Sequence, residues 1–183
     1  MKLTYFLAIA LVLAFLGAGC SNSNNELRTT NLDIGKGGNV NPCDLIDQGE
    51  IDALFGKAST IIQDDKEPIN PTGQKLCVYD AESDYGVTMA QIGVQQSKDM
   101  VSGMTAEDLF ESQKEFLEGI ADVQGLGDGA YQTSAEIPGG GALYFLAENK
   151  TVLITVDISL GRLDNEANQK AERDIAAKIM EQL

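Results

Sequence analysis

The chain opens with an apolar run from Tyr5 to Leu16, preceded by Lys2 and followed by the small residues Gly17, Ala18 and Gly19. The run is about 12 residues long, short of the roughly 20 that span a bilayer as a permanent helix. A positive start, an apolar middle and a small-residue end form the layout of a secretory signal, so residues 1–19 are expected to be a signal peptide. Residues 21–41 then read SNSNNELRTTNLDIGKGGNVN, rich in Asn, Ser, Thr and Gly and without apolar periodicity. That composition predicts a flexible tether over 20–41, ahead of a single domain at 42–183.

Within the domain the pattern switches between two periods. Asp47 followed by Glu50 fits a capping box, and Ile51, Leu54 and Phe55 make one helical face that stops at Gly56. Strands are expected near 59–63, 76–80 and 85–95. In the last of these, Ala90, Ile92 and Val94 alternate with Gln91, Gly93 and Gln95. Pro68, Asn70, Pro71 and Gly73 mark 64–75 as a loop. Thr105 is a candidate cap for a helix to about Gly119, with Leu109, Phe110, Phe116, Leu117 and Ile120 on one broad face and Glu107, Glu111, Glu115 and Glu118 on another. Strands near 130–133, 142–147 and 151–159 follow, the last two joined by a tight turn at Glu148-Asn149-Lys150. Val152, Ile154, Val156 and Ile158 point one way; Leu153, Thr155, Asp157 and Ser159 point the other. Ala167, Ala171, Ile175 and Ile179, spaced by four, predict a closing helix over 165–182. The order helix, three strands, helix, three strands, helix predicts an α+β domain: an antiparallel sheet with packed helices, arranged as a duplicated α-β-β-β unit plus a C-terminal helix.

Composition narrows the function. The 183 residues carry 13 basic and 28 acidic side chains, a net charge of −15, with no His and no Trp. Among the acids only Glu26 and Asp33 precede Pro42, so the negative charge belongs to the domain. Such a surface repels a phosphate backbone and excludes nucleic acid as a partner. Without His there is no Ser-His-Asp or Cys-His catalysis and no His-ligated zinc. None of the glycine-rich stretches, 35–38, 125–129 and 139–141, leads into Lys-Ser or Lys-Thr, so there is no phosphate-binding loop, and no cofactor is expected.

Four further patterns carry candidate chemistry. Asp80, Glu82 and Asp84 have the 1-3-5 carboxylate spacing of a calcium loop, but Tyr85 and Gln91 stand where an EF-hand needs Gly and Glu, and a polar hairpin turn accounts for the same residues. The row Glu107, Glu111, Glu115 and Glu118 reads either as an acidic docking face for a basic partner or as the wet side of an amphipathic helix. Its i,i+4 repulsion costs only a few tenths of a kcal/mol per pair, so it demands no functional account. Asn149-Lys150-Thr151 is a glycosylation sequon at an expected turn, whereas Asn70-Pro71-Thr72 is barred by its proline. The abundance of carboxylates leaves an Asp/Glu-dependent hydrolase as an alternative, although no pair stands out.

Two resemblances add to this. Leu16-Gly17-Ala18-Gly19-Cys20 resembles the lipobox of prokaryotic lipoproteins, with Gly17 where that motif usually has Leu. The resemblance implies that Cys20 is joined to diacylglycerol and becomes the first mature residue. Of the three cysteines, Cys43 and Cys77 then remain as an even pair in an exported chain. They form either two free thiols or a disulfide closing a loop of about 35 residues, worth roughly 3–4 kcal/mol. The segment NPCDLIDQGEIDALFG at 41–56, Cys77-Val78-Tyr79, and Gly125-Leu126-Gly127-Asp128-Gly129-Ala130-Tyr131 together resemble small secreted prokaryotic lipoproteins, familiar from actinobacteria, with a domain of unknown function. That resemblance implies an exported, disulfide-bonded α+β domain and supplies no catalytic residues. The expectation is a non-catalytic binding or accessory protein, extracytoplasmic, held to a prokaryotic membrane by its N-terminal lipid, with a basic protein or a small ligand as partner. A hydrolase and a calcium- or other cation-binding envelope protein are the alternatives.

Overall fold

A computed structural model describes residues 38–83, 86–101, 103–134, 141–161 and 164–183. The elements run α1 (Gln48–Phe55), β1 (Thr60–Asp64), β2 (Gln74–Ala81), β3 (Thr88–Gln96), α2 (Ala106–Phe116), β4 (Ile120–Asp122), β5 (Gly129–Thr133), β6 (Leu143–Ala147), β7 (Val152–Leu160) and α3 (Asn165–Gln182). The seven strands make one antiparallel sheet in the order β1-β2-β3-β7-β6-β5-β4. The chain is therefore an α+β domain with helices packed on an antiparallel sheet.

The sheet consists of two meanders, β1-β2-β3 and β5-β6-β7, joined where β3 pairs with β7 from Thr88↔Leu160 to Gln96↔Val152. A two-fold rotation normal to the sheet would exchange the meanders and leave every helix on its own face. The helices do not follow it. Ile51 of α1 packs in the same core as α3, whereas Phe110 of α2 packs in the core on the other face. The duplication expected from the element order thus extends to the strands and not to the helices. β4 is a short addition at the edge, where no strand was expected.

Each face has its own core because successive residues of a strand point to opposite sides. On the first face Val152, Ile154, Val156 and Ile158 meet Phe145, Ile92, Leu45 and Ile51, and Ile175, Ala176 and Ile179 of α3 cover them. On the second face Leu153, Leu146 and Tyr131 meet Met100, Ala106 and Phe110. Cys43 and Cys77 are joined as a disulfide, Cα atoms 5.0 Å apart, tying the turn at Pro42–Asp44 to the middle of β2.

Local chemistry sets the helix ends. Asp47 caps α1 by accepting from the Gly49 N–H, and Gly56 closes it in the left-handed region at φ 69°. Glu50 does not complete a capping box there; its carboxylate pairs with Lys178 of α3 instead. The box forms on α2, where Thr105 Oγ1 accepts from the Asp108 N–H and the Asp108 carboxylate accepts from the Thr105 N–H. The helix stops at Phe116 rather than near Gly119, because Leu117 turns out to an extended backbone and Gly119 adopts φ 66°. Consequently the broad apolar face expected for it is cut short: Ala106 and Phe110 are buried, and Phe116 is 82 % exposed.

The ordered domain also starts earlier than Pro42. Val40 is fully buried and its N–H donates to Gln96 Oε1 at 2.9 Å. Gly38–Asn41, assigned from composition to the tether, are part of the folded unit.

Candidate functional site

Cover on the two faces is unequal. On the second face α2 lies over β6 and β7, and among the described residues no helix packs substantially on that side of β1, β2 or β3. Leu76, Met89, Gln91, Tyr144, Thr155, Asp157 and Ser159 are half-buried there. Their counterparts on the first face are buried beneath α1 and α3.

Register fixes who stands beside whom. One row across the second face runs Leu76, Gly93, Thr155, Tyr144, Tyr131; the next runs Gln63, Val78, Gln91, Asp157. Directly opposed side chains have Cβ atoms about 4.5–5.5 Å apart, so each row is a line of neighbours, interrupted in the first by Gly93, which has no side chain. The first row begins under α2: the Phe110 and Tyr131 rings are 4.8 Å apart, and Tyr131 stacks on Tyr144 at 4.9 Å. Offset and tilted ring pairs at these distances hold a face rigid. The Tyr131 hydroxyl is buried and has no hydrogen-bond partner among the described residues. Burial, then Tyr144 and Glu111, push its pKa up, which keeps it a neutral phenol.

Asp157 lies where this aromatic row gives way to the open half. It makes no hydrogen bond and no ion pair with the described residues, and burial pushes its pKa up to about 6. Nearby Tyr144 is also raised, by burial first and then by the negative charges of Asp157 and Glu172. A partly desolvated carboxylate without a counter-charge favours any cation that reaches it. A tyrosine ring beside it adds a cation–π surface, and Gln91 and Thr155 add hydrogen-bonding groups.

The two buried charges of the first face differ in having partners. Lys75, fully buried, donates to Asn39 Oδ1 at 2.6 Å, Gln96 Oε1 at 3.1 Å and Asp99 Oδ2 at 3.2 Å, which uses all three protons of its ammonium. Glu172 of α3 accepts from Gln132 Nε2 at 2.5 Å and from the Ile158 N–H at 3.4 Å. Burial nevertheless pushes its pKa up to about 7, with those bonds and Arg173 opposing and Asp157 adding to the rise. Both are internal clamps.

The residues singled out from sequence are dispersed. Asp80 is exposed at the end of β2 and Glu82 is exposed just beyond it; Asp84 lies outside the described residues. Among the described residues no group of three or more acidic or cysteine side chains is arranged to hold a metal ion. Glu107 is taken by Lys150 at 2.7 Å, Glu111 and Glu115 are exposed on α2, and Glu118 falls beyond the helix end, so the four do not form one row. Asn149 is exposed at the tip of the β6–β7 turn, where Glu148, Asn149 and Lys150 all have positive φ, 54°, 52° and 64°. That costly conformation is held from outside, by Asp128 accepting from the Lys150 N–H and Glu107 from its Nζ. Cys20 lies outside the described residues. Asp157 and Tyr144 went unremarked as site residues; the available signal was an acid at an otherwise uncharged strand position.

No family model, no curated protein and no solved structure is similar to this chain.

Proposed function

We propose that the protein is a lipid-anchored extracytoplasmic binding protein, non-catalytic, that recognises a basic segment of another protein on the uncovered half of its sheet. One observation carries the reading: Asp157 is a half-buried carboxylate with no counter-charge among the described residues, set beside Tyr144 and opposite Gln91 of β3, at the border of the half of this face that α2 leaves uncovered. A Lys or Arg side chain placed there relieves the desolvated charge and gains a charge-assisted hydrogen bond. The acidity of the whole domain, net −15 for the chain, steers basic partners toward it.

The test uses a hexa-arginine peptide titrated calorimetrically into the mature chain. Asp157→Asn is expected to weaken binding at least tenfold, since a hydrogen bond to a charged group is worth about 1.5–3 kcal/mol. Glu115→Gln removes the same charge from an exposed helix position and is expected to change affinity less than twofold. Equal effects from the two substitutions would show only diffuse electrostatic attraction and reject the site.

A further inference from the structure

The end of the domain where the chain enters carries three of its large exposed apolar side chains, Ile69, Val101 and Met104. Gly38 is fastened there: its carbonyl accepts from Gln96 Nε2 at 2.9 Å and Lys98 Nζ at 2.8 Å, and the adjoining Asn39 accepts from the buried Lys75. Two loops flank it. The first carries Pro68, Ile69 and Pro71; the second carries Val101 and Met104. They are bonded to each other, Val101 N–H to the Pro71 carbonyl at 3.1 Å, and to the end of β3 through Gln95 Nε2 and the Thr72 carbonyl at 3.2 Å. Ile69 is 50 % exposed, Val101 55 % and Met104 42 %. Three large apolar side chains exposed on two loops that are hydrogen-bonded to each other give this end an apolar character that a covering surface would bury.

We propose that this end of the domain rests on the lipid bilayer, with Ile69, Val101 and Met104 entering the boundary between headgroups and acyl chains. The inference depends on the anchoring of Cys20 proposed above. Seventeen residues lie between Cys20 and Gly38, and a chain of that length spans at most about 60 Å. Because Gly38 and Asn39 are fastened to the ends of β3 and β2, this end of the domain is the one attached nearest the anchor. Confinement near the surface raises the effective concentration of the loops, so three side chains suffice where a free domain would need more. The contact is apolar in character. Lys66 and Lys98 are offset nearby by Asp64, Glu67 and Asp99, so no polybasic patch for anionic headgroups exists among the described residues of this end. In this pose the strand ends at Thr60, Ala81 and Leu160 point away from the membrane and the open half of the sheet stands upright beside it.

The chain has no tryptophan, which makes a single introduced indole an unambiguous reporter. The lipid-modified mature chain is reconstituted into phosphatidylcholine vesicles with brominated acyl chains, carrying Ile69→Trp, Val101→Trp or, as control, Phe116→Trp at the far end of α2. Emission from the first two is expected to shift to the blue and to be quenched at least twofold more than the control, with little dependence on salt. If the protein co-floats with the vesicles and all three positions are quenched alike, the bilayer contact is wrong while the anchor stands. If the chain does not float and mass spectrometry finds no lipid on Cys20, the anchor reading fails and this inference falls with it.

Discussion

The two faces of the sheet differ most clearly along a single strand. On β7 the residues Val152, Ile154, Val156 and Ile158 are all buried, while alternate with them Leu153 is buried but Thr155, Asp157 and Ser159 are half-exposed. The first face lies under α3, an 18-residue helix; the second lies under α2, which has 11 residues and packs mainly on β6 and β7, with Phe110 reaching Tyr131 of β5. Polar character follows cover. Charges on the covered face, Lys75 and Glu172, are enclosed by hydrogen-bonding partners, whereas the charge on the open half, Asp157, has none among the described residues. A domain of this size has enough apolar surface to make one face a full core, and the other is then free to keep polar groups that cost stability.

The sharpest way to break that comparison is to truncate one side chain on each face to alanine. Phe145 is fully buried on the first face, and Phe145→Ala is expected to cost about 3–5 kcal/mol, the lost transfer energy plus the cavity left behind. Thr155→Ala on the second face is expected to stay within about 0.5 kcal/mol, the range of surface changes. Urea unfolding of the two variants measures the difference. Comparable losses would mean that the second face is as well packed as the first.

The disulfide comes next in size. It fastens the entry of the chain to β2 on the covered face, and Cys77 is fully buried. Replacing both cysteines by Ala is expected to lower stability by about 2–4 kcal/mol, chiefly by releasing the unfolded chain. The denaturant dependence should steepen as well, because the unfolded ensemble exposes more surface without the link. A loss confined to the native state would leave that slope unchanged and shift the account to strain or packing at Cys77.

How much of this was legible in the sequence follows from range. The helices α1 and α3 and the alternation in β3 and β7 are short-range patterns, and they appear where the residues place them. The strand order is long-range: nothing local says that β3 pairs with β7, or that α1 and α2 take opposite faces. The same limit explains the errors. Glu50 looked like a capping partner because the residue that claims it, Lys178, is distant in sequence. Phe116 and Leu117 fitted a helical face that the turn at Leu117 ends. The glutamate row was visible because it is periodic, and one of its members turned out to be paired and another off the helix. Asp157 was visible only as the polar member of an alternation, since its isolation depends on which helix fails to cover it.

The smallest effect tests the open face by its titration. Burial holds the Asp157 carboxyl at a pKa of about 6 against an ordinary 3.8, so the folded state favours the neutral acid. For a raised carboxyl the penalty is absent below the unfolded pKa, grows as pH rises and is complete above the folded pKa. Stability should therefore fall between about pH 4 and pH 6 on this account. Glu172, raised from 4.5 to about 7, extends the fall toward neutrality. A tenfold change in proton affinity on folding corresponds to roughly 1.4 kcal/mol, and with partial exposure Asp157→Asn is expected to stabilise the protein by on the order of 1–2 kcal/mol at pH 7.5 and by nothing at pH 4. The substitution also removes the Asp157 charge that helps raise Glu172 across β7, so a carbon-13 titration should show the Glu172 midpoint moving down. A hidden ion-pair or hydrogen-bond partner for Asp157 would reverse the outcome, because the asparagine would forfeit it and leave that partner unpaired. Gain of stability together with loss of hexa-arginine affinity is the combination that only an open, unpaired carboxylate produces.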